Sequence, residues 1–342
     1  MTTTAARPPT PTLEQVAALA GVSRATVSRV INDSPRVSPA ARDAVHAAVE
    51  ALRYVPNRMA RSLVTRRTDT IALVLSESNT QIFADPFFAR IVRGLSARLA
   101  DTELNLVLLA ARGGREQEKV ARYVQQGHVD GVILISLHRD DLLPDLLARS
   151  PVPLVLSGRP FDGRAVPYVD ADNVGGAAAA TTHLLQLGRS RIGTVAGPLD
   201  MVAGLDRLTG YRTALAAAGT PARPELVAEG DFTEAGGSRA MARLLSEVPD
   251  LDAVFVASDP MAVGALRVLR AAGRRVPDDV AVVGFDDAEV AASCDPPLTT
   301  VAQPLEEMTG ALVDLLLEQI GSGGSAVEAR LCGTALVRRA SA

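Results

Sequence analysis

A chain of 342 residues with two cysteines, no tryptophan and a formal charge of −4 excludes several classes of protein at once. The length allows roughly two or three domains around a large core. Cys294 and Cys332 have no paired-cysteine spacing, which argues against a disulfide framework or zinc site; no run approaches the roughly 18 uninterrupted apolar residues of a membrane span.

The modest net charge hides an asymmetry. Residues 1–67 hold ten arginines against Glu14, Asp33, Asp43 and Glu50, so 10 − 4 = +6 there and −4 − 6 = −10 on the remainder. Solvation explains charged surfaces but not their segregation by sign. A basic module on an acidic body suits a DNA-binding head whose partner domain does not itself seek phosphate. Residues 1–11 carry no hydrophobic segment of the secretory kind and are expected to be a disordered lead.

Residues 12–34 predict two short helices around a tight turn. Thr12 can cap the first, with Gln15 completing a capping box. Leu13, Val16, Ala17 and Ala20 recur at helical spacing, and Gly21 supplies the turn. Ser23 offers a second cap, after which Val27, Val30 and Ile31 form a buried face. Arg24, Ala25, Thr26, Ser28 and Arg29 form the opposite one. Small, hydroxylated and cationic side chains on one face describe a helix-turn-helix whose second helix fits a DNA major groove. A plain helical hairpin with solvated arginines is the competing reading.

Ser38-Pro39 opens a third helix, with Val45, Val49 and Leu52 closing a three-helix core before Tyr54-Val55-Pro56. Residues 56–67 then read as a basic, helix-capable linker with Met59, Ala60 and Leu63 on an apolar face. From residue 70 the pattern changes to alternating strands and helices. Strands are expected at 70–75, 104–109, 131–135, 153–156, 166–169, 191–196, 226–229, 252–256 and 280–284. Helices are expected at 87–100, 115–126, 173–187, 204–218, 234–247, 260–272 and 304–320. Such alternation indicates an α/β protein of parallel sheets covered by helices on both faces. There are too many strands for one compact sheet, so two subdomains are expected. A final strand-like segment, Arg330-Leu-Cys-Gly-Thr-Ala-Leu-Val, follows a Gly/Ser spacer.

The segments Thr-Leu-Glu-Gln-Val-Ala, Ala-Gly-Val-Ser, Thr-Val-Ser-Arg-Val-Ile-Asn, Val-Ser-Pro and Tyr-Val-Pro-Asn-Arg-Met-Ala-Arg-Ser-Leu occur in order within residues 12–63. In this they resemble the head of the lactose-repressor (LacI-type) family of bacterial transcription regulators. The resemblance implies a helix-turn-helix head at 12–55 and a hinge helix at 56–67 that folds on operator DNA. A two-lobed core like that of periplasmic binding proteins would fill 68–342. Its N-subdomain would span about 68–163 plus 298–320, and its C-subdomain about 164–294 plus the C-terminal strand segment. The chain would cross between them near 161–165 and 290–300.

The resemblance places the DNA-reading residues at Thr12, Ser23, Arg24, Ala25, Thr26, Ser28, Arg29 and Asn32. In the hinge it adds Asn57, Arg58, Ala60 and Leu63. Leu63 would be the wedge that unstacks a minor-groove step and bends the duplex. Arg24 favours guanine, and Ala25 can touch a thymine methyl.

In open α/β sheets ligands bind beyond the carboxyl ends of the strands. Asp286 follows Val280-Ala-Val-Val-Gly-Phe, where a carboxylate can accept from vicinal sugar hydroxyls. The resemblance adds Arg207, Gln303 and Phe232 as effector contacts, and Ser258 follows an apolar strand in the same way as Asp286. Asp259 and Asp172 also follow strands; for Asp172 a helix cap is the alternative. The first-strand loop, Ser76 to Phe88, is longer than the family's Asn-Pro-Phe-Phe and carries Asp85 in place of that Asn. Phe87 or Phe83 would stack on a sugar ring, or simply pack.

These features predict a homodimeric or tetrameric repressor that binds near-palindromic double-stranded DNA and responds to a small effector. A sugar is the expected effector, with a purine or nucleoside as the alternative. No cofactor, metal or membrane partner is expected, and a cytoplasmic location is. A transporter's solute-binding protein could share the core, but the basic head argues against it. An enzyme is disfavoured because no phosphate-binding Gly-Lys-Ser/Thr loop, dinucleotide glycine pattern or nucleophile elbow is present, and His46, His128, His138 and His183 are scattered.

Overall fold

The computed structural model describes residues 11–31, 34–54, 67–322 and 327–342. The chain divides into two compact units, Met1–Thr68 and Asp69–Ala342.

In the first unit, α1 (Leu13–Ala20), α2 (Arg24–Ile31) and α3 (Pro39–Leu52) enclose Val16, Ala17, Val27, Val30, Val45, Ala48 and Tyr54. The capping box forms as the sequence predicts: Gln15 N donates to Thr12 Oγ1 at 3.4 Å, and Thr12 N to Gln15 Oε1 at 2.8 Å. Gly21 closes α1 at a φ of 65°, a left-handed conformation that favours glycine. Ser38 caps α3 ahead of Pro39.

The second unit begins with β1 (Thr70–Leu75), α4 (Asn79–Ala84), α5 (Pro86–Leu99), β2 (Asn105–Ala110), α6 (Gly114–Gln125), β3 (Gly131–Ile135), α7 (Leu143–Leu147), β4 (Leu154–Ser157) and β5 (Tyr168–Ala171). It continues through α8 (Asn173–Gln186), β6 (Ile192–Ala196), α9 (Val202–Ala217), β7 (Val227–Glu229), α10 (Glu234–Glu247), β8 (Ala253–Val256) and α11 (Asp259–Ala271). After β9 (Ala281–Val283), α12 (Glu289–Ser293) and β10 (Thr300–Ala302) come α13 (Leu305–Ser322), β11 (Ala329–Cys332) and β12 (Ala335–Val337).

The strands form two parallel sheets and a ribbon. The first lobe's sheet has the order β11-β5-β4-β3-β1-β2, the second lobe's β7-β6-β8-β9, and β10 pairs antiparallel with β12. The apolar runs explain this arrangement, because a parallel strand is buried on both faces. In β1, Ile71, Leu73 and Leu75 pack with Ile91, Leu95 and Leu312 under α5 and α13. Ala72 and Val74 pack with Val120, Val124 and Leu143 under α6 and α7. In the second lobe Val254 and Val256 face α10 and α11, while Phe255 and Ile192 face α8 and α9. Gly237 and Gly264 let α10 and α11 approach closely: a Cβ on Gly237 would strike the Met261 backbone, and one on Gly264 the Glu234 carbonyl.

The lobe boundaries differ from the sequence expectation in three places. Tyr168–Ala171, expected in the second subdomain, pairs with β4 in the first sheet. The C-terminal segment, read as one strand, breaks at Gly333-Thr334. Ala329–Cys332 joins the first sheet beside β5, and Ala335–Val337 pairs with β10. The first crossing therefore falls at Asp172, not 161–165, and the return at Gln303. A third crossing falls at Gly333-Thr334. The crossings are bound together: Asp172 N donates to Cys332 O at 2.8 Å, and Thr334 Oγ1 to Asp172 O at 3.2 Å. Apolar pattern does not say after which strand the chain changes lobes, which is why β5 lies on the other side of the crossing from its expected place, and β11 is an edge addition from a distant segment.

Candidate effector site and DNA-reading surface

Both sheets reverse their strand order next to their first strand, β1 beside β3 in the first lobe and β6 beside β8 in the second. Loops diverge there and leave a crevice at the carboxyl ends of the strands. The two crevices share one cavity lined by residues of both lobes. Its walls include Phe87, Arg207, Phe232, Ser258, Asp286 and Gln303, so the cavity gathers all six residues expected to hold an effector.

Asp286 sits just past β9 in a turn where it and Asp287 both have positive φ, 109° and 48°. Such conformations are strained for residues with a Cβ, and they persist where neighbours over-determine them. Here Arg90 of α5 supplies the hold, NH1 donating to Asp286 O at 2.9 Å and Asp287 O at 3.3 Å. Gln303 Nε2 donates to Asp286 Oδ1 at 2.6 Å, and Arg207 NH1 lies 3.2 Å from the same oxygen. Burial pushes the Asp286 carboxyl up, opposed by the Arg207 charge and the Gln303 hydrogen bond.

Arg207 is itself fixed. Its Nε donates to Asn173 Oδ1 at 2.9 Å and its NH1 to Ala257 O at 2.6 Å, and its guanidinium lies 3.8 Å from the centre of the Phe285 ring. Asn173 Nδ2 donates in turn to Asp170 Oδ1 at 3.0 Å, and Asp170 Oδ2 accepts from Arg159 N at 3.0 Å. Burial lifts the Asp170 carboxyl to about 6. A fixed, forked donor beside a fixed carboxylate matches a polyol, whose neighbouring hydroxyls both donate and accept.

The remaining predicted residues have distinct surroundings. Ser258 lines the cavity while its Oγ caps α11, accepting from Met261 N at 3.4 Å. Phe232 has a φ of 61°, and its ring occupies space that a Cβ on Gly197 would take. Phe87 lines the wall in edge-to-face contact with Phe88 at 5.6 Å; Phe83, its alternative, is 88% exposed and outside the cavity. Asp172 caps α8 by accepting from Gly175 N at 2.8 Å. Asp259 is turned into the second lobe, accepting from Thr300 Oγ1 and Ala288 N at 2.6 and 2.8 Å; burial lifts it to about 8.

Sequence reasoning missed much of the first lobe's wall, including Glu77, Gln81, Ser136 and Arg159. The strand-end rule would have found three of them, since Glu77 follows β1, Ser136 follows β3 and Arg159 follows β4; Gln81 lies within α4. Asp85 also lines the cavity, capping α5 through Phe87 N at 2.9 Å. Burial raises its carboxyl to about 6, against the pull of that N–H and with the help of the Asp286 charge. Four carboxylates, Glu77, Asp85, Asp170 and Asp286, thus face two guanidiniums, and Arg159 already donates twice to Asp206 at 3.0 and 2.5 Å. Among the described residues no helix could cross a membrane and no His, Cys, Asp or Glu cluster could hold a metal.

On the head, Arg24, Ala25 and Arg29 are exposed on α2, and Thr26 and Ser28 are half-buried beside them. Thr12 and Ser23 are exposed at helix starts, with Ser23 Oγ accepting from Thr26 N at 3.1 Å. Glu14 of α1 pairs with Arg24 at 3.2 Å, both well exposed. Asn32, Asn57, Arg58, Ala60 and Leu63 lie outside the described residues.

A helix-turn-helix head joined to a two-lobed, ligand-pocketed core defines a bacterial transcription regulator of the periplasmic-binding-protein type. Residues 12–57 match the bacterial regulatory proteins of the lacI family, and residues 181–342 match a periplasmic binding protein-like domain. The chain belongs to the LacI family. It is 56% identical over 312 residues to the HTH-type transcriptional regulator CelR of Thermobifida fusca, covering 91% of this chain and 92% of that one. It is 37% identical to the ribose operon repressor of Escherichia coli K12, covering 90% and 93%. Among solved structures, the complex of the regulator CelR with cellobiose aligns with a TM-score of 0.79 at 51% identity, covering 97% of this chain and 100% of that one. The lac repressor dimer bound to operator and the anti-inducer ONPF aligns at 0.86 with 29% identity, covering 97% and 99%. These relatives are regulators, not enzymes.

Proposed function

We propose that this chain is a cytoplasmic, homodimeric repressor whose affinity for a near-palindromic operator is set by a neutral, hydroxyl-rich sugar, with cellobiose the first candidate. The observation that carries the effector reading is the fixed set of Arg207, Asp286, Asn173 and Gln303 in an otherwise anionic cavity. Its chemistry suits vicinal hydroxyls and rejects phosphorylated sugars and nucleotides. A regulator CelR that aligns with nearly all of this chain was solved with cellobiose, and the cavity is lined from both lobes.

For DNA, two copies of α2 would enter successive major grooves, as two-fold symmetry demands. Arg24 would read a guanine and Ala25 a thymine methyl, with Thr12, Ser23, Thr26, Ser28, Arg29 and Asn32 around them. The segment from Asn57 and Arg58 through Ala60 to Leu63 would be the hinge. Sugar binding and operator binding then share one reciprocal coupling free energy, of about 1–3 kcal/mol in typical cases.

Fluorescence anisotropy of the full chain on a labelled palindromic duplex, with and without cellobiose, ribose, adenosine or glucose 6-phosphate, tests this. Cellobiose is expected to change operator affinity by roughly 5–150-fold, and glucose 6-phosphate to have no effect. If no palindromic duplex binds at low salt in any of these conditions, the repressor reading fails. If adenosine acts and cellobiose does not, the sugar reading fails.

A further inference from the structure

His138 stands at one rim of the cavity, in the loop that follows β3, and it touches both lobes. Its Nε2 lies 3.0 Å from Glu77 Oε1, in the first lobe and in the cavity wall; Ser136 Oγ donates to that same oxygen at 3.0 Å. Its Nδ1 lies 2.7 Å from Asp200 Oδ2, on the loop after β6 in the second lobe. The backbones meet at this point too: His138 and Met201 form a β-bridge, and Arg139 N donates to Asp200 O at 2.7 Å. The imidazole is therefore a strap between lobes with one end in the ligand cavity.

A neutral imidazole carries a single N–H and would present a lone pair to one of these carboxylates. Two carboxylates on two ring nitrogens require a shared proton. When the lobes part, Asp200 leaves with the second lobe and that requirement lapses.

We propose that His138 is a positioning residue that orients Glu77 in the cavity wall, and that closure of the lobes around an effector takes up a proton at the Glu77–His138–Asp200 relay. The other charged groups around the ring do not supply this proton. Asp141 accepts from the His138 backbone N–H at 2.7 Å and from Ser76 and Gln117, so its carboxylate is tied to the turn below the ring. Arg139 points its guanidinium over Phe161 at 4.7 Å. Burial alone would depress the imidazole, but its hydrogen bonds to Glu77 and Asp200 outweigh this and raise it above the ordinary 6.5. A group raised in the closed form favours closure fully below its open-form value and loses that contribution as the pH climbs through its closed-form value. Effector affinity should therefore increase as pH falls from alkaline toward neutral.

The inference rests on the sugar reading, so the test separates the two. Calorimetric titration of the full chain with cellobiose from pH 6 to 8.5, in two buffers of different ionisation enthalpy, should show fractional proton uptake. Kd should fall with pH by up to about tenfold per unit for one proton. His138→Gln and Asp200→Asn should both flatten this profile while still binding cellobiose at pH 8.5. A wild-type Kd that is flat across the range, or an unchanged slope in His138→Gln, overturns the proposal. Absence of cellobiose binding at every pH overturns the sugar reading instead. The relay is then judged in the unliganded protein by small-angle scattering across the same pH range: lobes that close as the pH falls in wild type but not in His138→Gln support it, and a shape that does not change with pH overturns it.

Discussion

Gln303 and Asp286 are joined where the chain leaves the second lobe for the first: Gln303 Nε2 donates to Asp286 Oδ1 at 2.6 Å. A residue in the crossing segment is thus bonded to a carboxylate that lines the cavity. Any ligand hydroxyl that competes for Asp286 acts on the hinge as well as on the pocket.

Asp286→Asn removes the charge that Arg207 meets at 3.2 Å and turns part of the acceptor into a donor facing Gln303. Losing one partner of a buried charge pair typically costs 2–5 kcal/mol of binding, so cellobiose affinity should drop at least about 30-fold. Calorimetry on the variant measures this, with operator affinity of the unliganded protein retained. An unaltered Kd would show that the ligand does not touch Asp286.

Asp85→Asn keeps the α5 cap, since Asn and Asp cap equally well, and removes a carboxyl raised to about 6 by burial. A raised carboxyl stabilises the fold below its unfolded value near 4 and loses that contribution as the pH climbs through 6. The variant should therefore melt above wild type by about 2–4 °C at pH 8, with the gap closing by pH 4. Thermal melts at the two pH values decide it, and a gap that is the same at both removes Asp85 as the titrating group.

Arg24→Ala should weaken operator binding by about 1–3 kcal/mol and relax preference at one base pair per half-site. Its pairing with Glu14 is exposed, so Glu14→Ala should leave stability essentially unchanged, as read by thermal melts. Competition binding with single-base operator variants measures both. Equal loss on every sequence would make Arg24 a phosphate contact.

Leu63→Ala should abolish operator bending, read by end-to-end energy transfer on a short duplex, while leaving cellobiose affinity unchanged. The physical basis is that an apolar wedge is needed to unstack a base step. Full bending by the variant would sink the wedge assignment.

Much of this molecule was legible in the sequence because its signals are local. The capping box of Thr12 and Gln15, Gly21 in the turn and Ser38-Pro39 at α3 are decided within four residues. The β1 and β3 runs are apolar throughout because both faces are covered. What the sequence concealed is set by distant partners. Tyr168–Ala171 and Ala329–Cys332 are unremarkable segments that find each other across most of the core. The short helices Asn79–Ala84, Leu143–Leu147 and Glu289–Ser293 are too brief for a period to show. Glu77 and His138 are 61 residues apart and look like scattered polar residues until the two crevices face one another. The six effector candidates were found through strand ends and family likeness, which told more about the second lobe than about the first.

The three crossings at Asp172, Gln303 and Gly333-Thr334 have a mechanical consequence. A single strand between two bodies is a swivel, whereas three crossings, two bonded through Asp172, Cys332 and Thr334 and the third beside them through the Ala302–Ala335 pairing, resist twisting and shear. The remaining soft direction is a bend about the line that joins them. Under the proposed function, occupancy of the pocket would thereby act along one coordinate of movement, as a leaf spring turns many possible loads into a single deflection.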